Sequence, residues 1–164
     1  MGTETRVSLW GRPSGALRLA FKLPVTLYRL RLGWVVGHRF LQVTHQGRRS
    51  GRVYRTVLEV VRYDRASRES VVVAGFERAD WLRNIQASPA VEVRTGTDRY
   101  APAQRFLEAD ERFAVLARFQ REHPWEAPIM LRLFGLRPAT DRREREGQWR
   151  ALADGLPMVA FRSR

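Results

Sequence analysis

The 164-residue chain has no cysteine, a single lysine and only three histidines. Without cysteine there can be no disulfide, no catalytic thiolate and no cysteine-ligated zinc or iron–sulfur site. His38, His45 and His123 lack partners at the spacing of a metal site. No uncharged run approaches the roughly 20 residues that a membrane-spanning helix requires, and no secretory signal pattern is evident. We therefore expect a cytoplasmic protein without a metal.

Positive charge is abundant, and nearly all of it is arginine. The formal net charge is +13, and Lys22 is the only lysine among 30 basic residues. Guanidinium groups suit bidentate contacts with phosphate or carboxylate. A nucleic-acid-binding module is one function class that this charge suggests. Because no groove-reading motif is recognisable, we expect no specific nucleic-acid partner.

An apolar, cation-interrupted segment begins the chain. Arg18, Lys22 and Arg29 recur at helical spacing on one face, which predicts an amphipathic helix within residues 1–37. Two interpretations stay open, namely a helix that packs on its own domain and one that makes peripheral contact with a membrane.

Residues 38–164 have the pattern of a single α+β domain. Polar turns at 63–68 and 95–98 indicate antiparallel neighbours, so we expect a mainly antiparallel, six-stranded β-barrel with peripheral helices. Helices are predicted over 81–87 with Asp80 as its cap, over 108–122, and within 138–154. The predicted strands, rich in Val, Thr, Tyr and Phe, are 40–44, 53–63, 70–74, 91–95, 100–106 and 157–161.

Between the first two predicted strands lies a basic loop, residues 47–52, with the sequence Gly-Arg-Arg-Ser-Gly-Arg. Its two glycines permit backbone angles that turn N–H groups toward one centre, while Ser50 and the arginines add further donors. The loop therefore suggests an anion-binding site. As a bare pattern, an ordinary basic hairpin turn fits it equally well.

The sequence contains no self-contained catalytic constellation. Its carboxylates form no evident acid/base pair by spacing, and Ser50 and Ser88 have no nucleophile-elbow context. His45 lies beside the basic loop, where a ligand contact is one interpretation and a strand-end histidine in water is the one that we favour. An enzyme with this sequence would take its chemistry from a cofactor.

Four motifs in order resemble the deazaflavin-dependent nitroreductase family, over residues 40–106. The family pattern is Gly-Arg-Lys-Ser/Thr-Gly, a basic strand ending in Pro/Val-Leu, a small-residue strand end, and Trp-Tyr-x-Asn-Leu-x-Ala-x-Pro. The corresponding motifs here are Gly47-Arg48-Arg49-Ser50-Gly51, Arg55-Thr56-Val57-Leu58, Val72-Val73-Ala74-Gly75 and Asp80-Trp81-Leu82-Arg83-Asn84-Ile85-Gln86-Ala87-Ser88-Pro89.

This resemblance implies a split β-barrel that binds reduced coenzyme F-420 and transfers a hydride to an electron-poor acceptor such as a quinone or nitro compound. Flavin mononucleotide (FMN) is the alternative cofactor. Family members also pair or associate with membranes, so the resemblance raises a homodimer and membrane association. The cofactor-binding residues that it implies are Arg48, Arg49, Ser50, Arg55, Thr56, Ala74, Gly75, Phe76, Trp81 and Asn84.

Departures from the family pattern bear on the acceptor. Nitro-reducing members carry tyrosines after the long helix, where this chain has Trp125, Ile129 and Met130. We therefore assign no proton donor and no catalytic residue. The alternative function is a non-catalytic carrier of a flavin, tetrapyrrole or fatty acyl ligand on the same barrel.

Overall fold

Seven β-strands pair antiparallel throughout in the computed structural model, which describes residues 37–75 and 79–164 apart from the Leu133 side chain. Their order in the sheet is β5-β4-β1-β2-β3-β7-β6. The strands are β1 (Phe40–Gln46), β2 (Val53–Asp64), β3 (Glu69–Val73), β4 (Glu92–Thr95), β5 (Asp98–Tyr100), β6 (Pro102–Phe106) and β7 (Met158–Ser163). The helices are α1 (Asp80–Ala87), α2 (Ala109–Glu122), α3 (Ala127–Leu133) and α4 (Arg142–Gly155).

The sheet rolls up because its two outermost strands are neighbours in sequence. β5 and β6 stand at opposite ends of the strand order, yet only Ala101 separates them. Consecutive Cα atoms are about 3.8 Å apart, so the two ends of the sheet must lie side by side. The result is a nearly closed antiparallel barrel of the split-barrel type, which confirms the predicted α+β fold.

The predicted strand over 100–106 is wrong in one respect, because it is two strands with different partners. Tyr100 pairs with Val93 of β4, whereas Pro102 pairs with Ser163 of β7. Proline has no N–H for a ladder and is tolerated at the first residue of a strand. The partner change at Ala101 therefore raises the strand number from the predicted six to seven.

The alternation of side chains along β1 directs one row toward the core. Leu41 and Val43 are fully buried members of the core cluster, and His45 continues the same row because it is two residues further on. Val43 pairs with Thr56 and His45 with Tyr54 across β1 and β2. Directly opposed residues of an antiparallel pair share a face, so His45, Tyr54 and Thr56 lie on the side that α1 covers.

Helix α1 covers the core with one apolar face. Its buried residues Trp81, Leu82 and Ile85 recur at helical spacing and join the core cluster. The prediction that Asp80 caps this helix is wrong, because Ala79 occupies the N-cap position and no side chain caps the helix end. Asp80 lies in the first turn instead, where its carboxylate is free to take another partner.

The described residues divide into two compact units. The first contains residues 37–75, 79–107 and 157–164, and therefore all strands and α1; the second contains residues 108–156. In the second unit α2 packs on α4, and the Arg150 guanidinium lies 4.1 Å from the Phe113 ring centroid. Asp141 caps α4 by accepting from the Glu144 N–H at 2.9 Å, so the predicted third helix begins at residue 142.

Helix α3 is a further element that the sequence prediction omitted. Pro128 lies in its first turn, where a missing N–H costs no intrahelical bond. Trp125 and Ile129 of this segment are exposed.

The predicted N-terminal helix lies outside the described residues, except for Gly37 at the end of its segment. The boundary proposed between residues 37 and 38 therefore stays a prediction. No helix within the described residues combines the length and the hydrophobicity that crossing a membrane requires.

Candidate functional site

A cavity of about 620 Å³ opens at the end of the β1–β2 hairpin, beside α1. Its volume lies within the range of about 300–1,000 Å³ typical of ligand sites. Seven of the ten residues that the resemblance implied line this cavity. The lining residues are His45, Gly47, Arg48, Arg49, Ser50, Tyr54, Arg55, Thr56, Ala79, Asp80, Trp81 and Asn84.

The basic loop is a closed turn held by its own backbone. The Gly47 N–H donates to the Arg52 carbonyl at 2.8 Å, and the Gly51 N–H donates to the Gly47 carbonyl at 2.8 Å. Gly51 has a φ of +66°, a conformation that side chains disfavour. A Cβ at Gly47 would meet Ser50 Oγ at 2.6 Å and Tyr54 Cε2 at 2.7 Å. Glycine at this position therefore allows the Ser50 and Tyr54 side chains to pack closely against the loop backbone.

Arg48 is committed to contacts within the protein. Its backbone N–H and its Nη1 both donate to Asn84 Oδ1 at 3.1 Å. The same Nη1 lies 3.1 Å from Asp80 Oδ1, and this carboxylate partner takes the place of the predicted helix cap. Arg48 thus ties the basic loop to α1.

Arg49 and Arg55, called here the cavity arginines, form no ion pair with a carboxylate in the part of the chain that the structure describes. The N–H groups of Arg49 and Ser50 likewise have no acceptor among those residues. Two guanidinium groups and two consecutive backbone donors of lining residues are therefore available to a ligand. This donor set suits a phosphate or carboxylate group.

Fewer loop N–H groups are available than the sequence suggested. The remaining ones bond inside the protein, and the Arg52 N–H reaches Ser50 Oγ at 3.3 Å. Ser50 Oγ also lies 3.2 Å from the Tyr54 hydroxyl.

His45 is buried, so its interpretation as a strand-end histidine in water is wrong. Only 3% of its surface is exposed, because α1 covers the face of β1 that carries it. His45 Nδ1 lies 3.1 Å from Asn84 Nδ2, and His45 Nε2 lies 3.0 Å from Thr56 Oγ1. Burial lowers the pKa of His45 below its ordinary value of 6.5, while the Asp80 carboxylate opposes that shift.

The other residues implied by the resemblance occupy varied positions. Trp81 is 7% exposed, and it belongs to the core cluster while also lining the cavity. Ala74 is fully buried in the core, and its N–H donates to the Pro157 carbonyl at 2.9 Å. Neither Ala74 nor Gly75 is among the described residues that line the cavity, and Phe76 lies outside the described residues.

Sequence reasoning gave Tyr54, Ala79 and Asp80 no site role, and it favoured solvent over a ligand contact for His45. Their shared signal is position, since Tyr54 and His45 flank the basic loop and Asp80 begins the helix motif that contains Trp81 and Asn84. The hairpin register alone would have placed Tyr54 beside His45, where the two ring centroids are 5.9 Å apart.

Residues 21–126 match the model of the F-420H(2)-dependent quinone reductase family. The chain belongs to this family. The match covers more than half of the chain and includes the basic loop, β1 to β6 and α1. No curated protein matches the chain significantly in sequence.

A solved structure of an F-420-H2 dependent reductase supports the fold. A structure described as an F-420-H2 dependent reductase is 19% identical, covers 77% of this chain and 96% of its own, and superimposes with a TM-score of 0.50. A pyridoxamine 5'-phosphate oxidase-related, FMN-binding protein from Nostoc punctiforme is 16% identical, covers 95% of this chain and 82% of its own, and has a TM-score of 0.48.

Family membership confirms the recognition drawn from the four motifs. The protein is an F-420-dependent oxidoreductase, its cofactor is coenzyme F-420, and it transfers a hydride from the reduced deazaflavin to an electron-poor acceptor such as a quinone. The family supports this activity and not the carrier alternative. The cavity arginines, which have no carboxylate partner among the described residues, fit a cofactor with an acidic group.

Proposed function

We propose that the cavity at the β1–β2 loop is the coenzyme F-420 site, and that the cavity arginines and Ser50 bind its phosphate or acidic tail. The observation that carries this proposal is the presence of two arginines without carboxylate partners, among the described residues, on the wall of a 620 Å³ cavity. Both arginines are exposed and have no carboxylate partner among the described residues, so a bound anion would gain charge-assisted hydrogen bonds from them without displacing an internal ion pair.

Arg48 and Asn84, in this proposal, hold the site in shape. Arg48 already has Asp80 and Asn84 as partners at 3.1 Å through its backbone N–H and Nη1, so its charge is matched within the protein. Trp81 supplies an apolar wall. Ala74, Gly75 and Phe76 stay predicted contacts of the deazaflavin ring, on the family resemblance alone.

The cofactor, when bound, supplies the hydride. What the protein must do is hold cofactor and acceptor in contact and keep water away from them. A site that does this needs no acid/base pair of its own. The chain's family favours a quinone as acceptor, and we propose nitro compounds as a second acceptor class.

Titration of the purified protein with F-420 and with FMN, followed by ligand fluorescence, tests the site. We expect saturable binding of F-420 in preference to FMN, followed by quinone-dependent oxidation of the reduced cofactor. Equal affinity for both would contradict the cofactor preference. Binding without turnover by any quinone or nitro acceptor would contradict the proposed acceptors.

Two proposals on partners rest on the sequence and the family resemblance. We propose that residues 1–37 make peripheral contact with membranes and that the protein forms a homodimer in an otherwise cytoplasmic setting. Sedimentation with anionic lipid vesicles, with and without residues 1–37, tests the first. Light scattering of the purified chain tests the homodimer, and a measured monomer mass would reject it.

A further inference from the structure

Asn84 connects the basic loop to the interior of the sheet, and its amide has only one orientation that satisfies its neighbours. The backbone N–H and Nη1 of Arg48 both lie 3.1 Å from Oδ1. Both Arg48 groups are donors and cannot accept. The amide oxygen must therefore face Arg48, and the amide nitrogen must face His45.

That orientation determines where His45 carries its proton. Asn84 Nδ2 lies 3.1 Å from His45 Nδ1, and an amide nitrogen can only donate. His45 Nδ1 must then accept, so the hydrogen of the neutral ring is on Nε2. The lowered pKa of His45, caused mainly by burial, agrees with a neutral ring.

The His45 tautomer in turn orients Thr56. His45 Nε2 lies 3.0 Å from Thr56 Oγ1, and with its hydrogen on that atom it donates to the hydroxyl oxygen. The hydroxyl's own hydrogen must therefore point elsewhere. No acceptor for it occurs among the described residues, and Thr56 lines the 620 Å³ cavity.

We propose that Asn84, acting through His45, fixes the Thr56 hydroxyl as a hydrogen-bond donor toward an electron-rich oxygen of the molecule bound in this cavity. The inference rests on the proposed function, because it takes the cavity to be the cofactor and acceptor site. Asn84 and His45 are positioning residues, and Thr56 is the group that meets the ligand. Arg48 belongs to the same network. The Asn84 side-chain amide therefore holds the basic loop in place and also orients the Thr56 hydroxyl through His45.

Nitrogen-15 NMR of the protein alone tests the first step. The three histidines are assigned by single substitutions, at about pH 9, well above the ordinary imidazole pKa of about 6.5. We expect His45 as the Nε2–H tautomer in the wild type. In Asn84→Asp a carboxylate oxygen replaces the amide nitrogen, and we expect the Nδ1–H tautomer. An Nδ1–H tautomer in the wild type, or no change in Asn84→Asp, would overturn the relay.

Binding of F-420 at the same pH tests the second step. Thr56→Val preserves shape and removes the hydroxyl, and we expect about two- to twelve-fold weaker binding, the range for one hydrogen bond. Thr56→Ser keeps the hydroxyl and is expected to restore most of the affinity. Unchanged affinity in Thr56→Val would overturn the donor role.

A double-mutant cycle separates the relay from the added charge of Asn84→Asp. The charge acts whether residue 56 is Thr or Val, whereas the tautomer change matters only when the hydroxyl is present. We therefore expect Asn84→Asp to weaken binding more in the Thr56 protein than in Thr56→Val. Equal effects in both backgrounds would overturn the proposed coupling. Failure of the wild type to bind F-420 would reject the proposed function, while the tautomer measurement would still judge the relay.

Discussion

Two cavities of the strand-bearing unit are built from similar residues but differ in how their charges are used. The larger, about 620 Å³, contains His45 beside Tyr54 with ring centroids 5.9 Å apart. The smaller, about 190 Å³, contains His38 stacked on Tyr63 at 4.0 Å. Arginines line both cavities. A histidine, a tyrosine and arginines together therefore do not distinguish a ligand site from a structural one.

The arginine partners make the distinction. In the smaller cavity Arg68 lies 2.8 Å from Asp98, and Arg99 pairs with Glu92. In the larger cavity Arg48 is paired in the same way, but the cavity arginines have no carboxylate partner among the described residues. An arginine whose charge is matched within the protein maintains the fold, and one without a match is available to an anion.

The largest effect should come from removing a cavity arginine. For Arg49→Ala we expect F-420 binding to weaken by about 1.5–3 kcal/mol, because a charge-assisted hydrogen bond contributes that much. Arg99→Ala, in the smaller cavity, is the matched control and should leave the affinity unchanged. Fluorescence titration measures both. Equal losses in the two variants would show that the effect follows net charge and not the site.

A smaller effect is expected in the larger cavity, where acid should lower the free energy of unfolding through His45. The folded-state pKa of His45 is lowered by burial, so below about pH 6.5 the unfolded chain binds more protons than the folded one. The free energy of unfolding should therefore fall as the pH drops below 6.5. Urea titrations at about pH 7.5, 6.5 and 5.5 measure this, mostly above the carboxylate pKa values near 4. His45→Gln should show a shallower decline, and an unchanged slope would contradict the burial of a neutral ring.

The smallest effect should come from Tyr100 in the smaller cavity. Its hydroxyl is buried without a hydrogen-bond partner among the described residues, and burial raises the pKa of Tyr100 to about 12. Stability should therefore decline between about pH 10 and 12, where unfolded tyrosine ionises first. Tyr100→Phe should lose the highest step of an ultraviolet tyrosine titration and gain up to about 1 kcal/mol in unfolding free energy. A loss of F-420 affinity in this variant would contradict the claim that the smaller cavity has no part in cofactor binding.

Local pattern carried most of the fold prediction. The β1–β2 hairpin and its loop were predictable because alternating apolar residues flank a glycine-containing turn. The division of residues 100–106 into two strands was not, because the strand-like pattern runs through Tyr100, Ala101 and Pro102 while the change of partner depends on β4 and β7. Short α3 was missed because Pro124 and Pro128 make its segment look like a loop.

The sequence predicted that the basic loop belongs to the site, but it did not predict which of its arginines pairs within the protein. Arg48 and Arg49 are adjacent and chemically identical, yet only Arg48 meets Asp80 and Asn84, which lie 32 and 36 residues away. Likewise, the burial of His45 follows from the placement of α1 over the sheet. The pairing of Arg48 and the burial of His45 both depend on tertiary contacts between distant segments, which cannot be read from a single sequence.

The position of β7 between β3 and β6 has a consequence for the order of assembly. Residues 69–73 and 102–106 cannot join through the sheet until residues 158–163 have been synthesised and inserted between them. Such distant pairing is slow compared with the hairpins that link β1, β2 and β3. Every described residue that lines the larger cavity lies between His45 and Ser50, Tyr54 and Thr56, or Ala79 and Asn84. The residues that line this cavity are therefore all synthesised before β7. Because α1 packs on a core that includes Val159 and Phe161 of β7, the cavity wall that α1 supplies is fully supported only once the barrel closes.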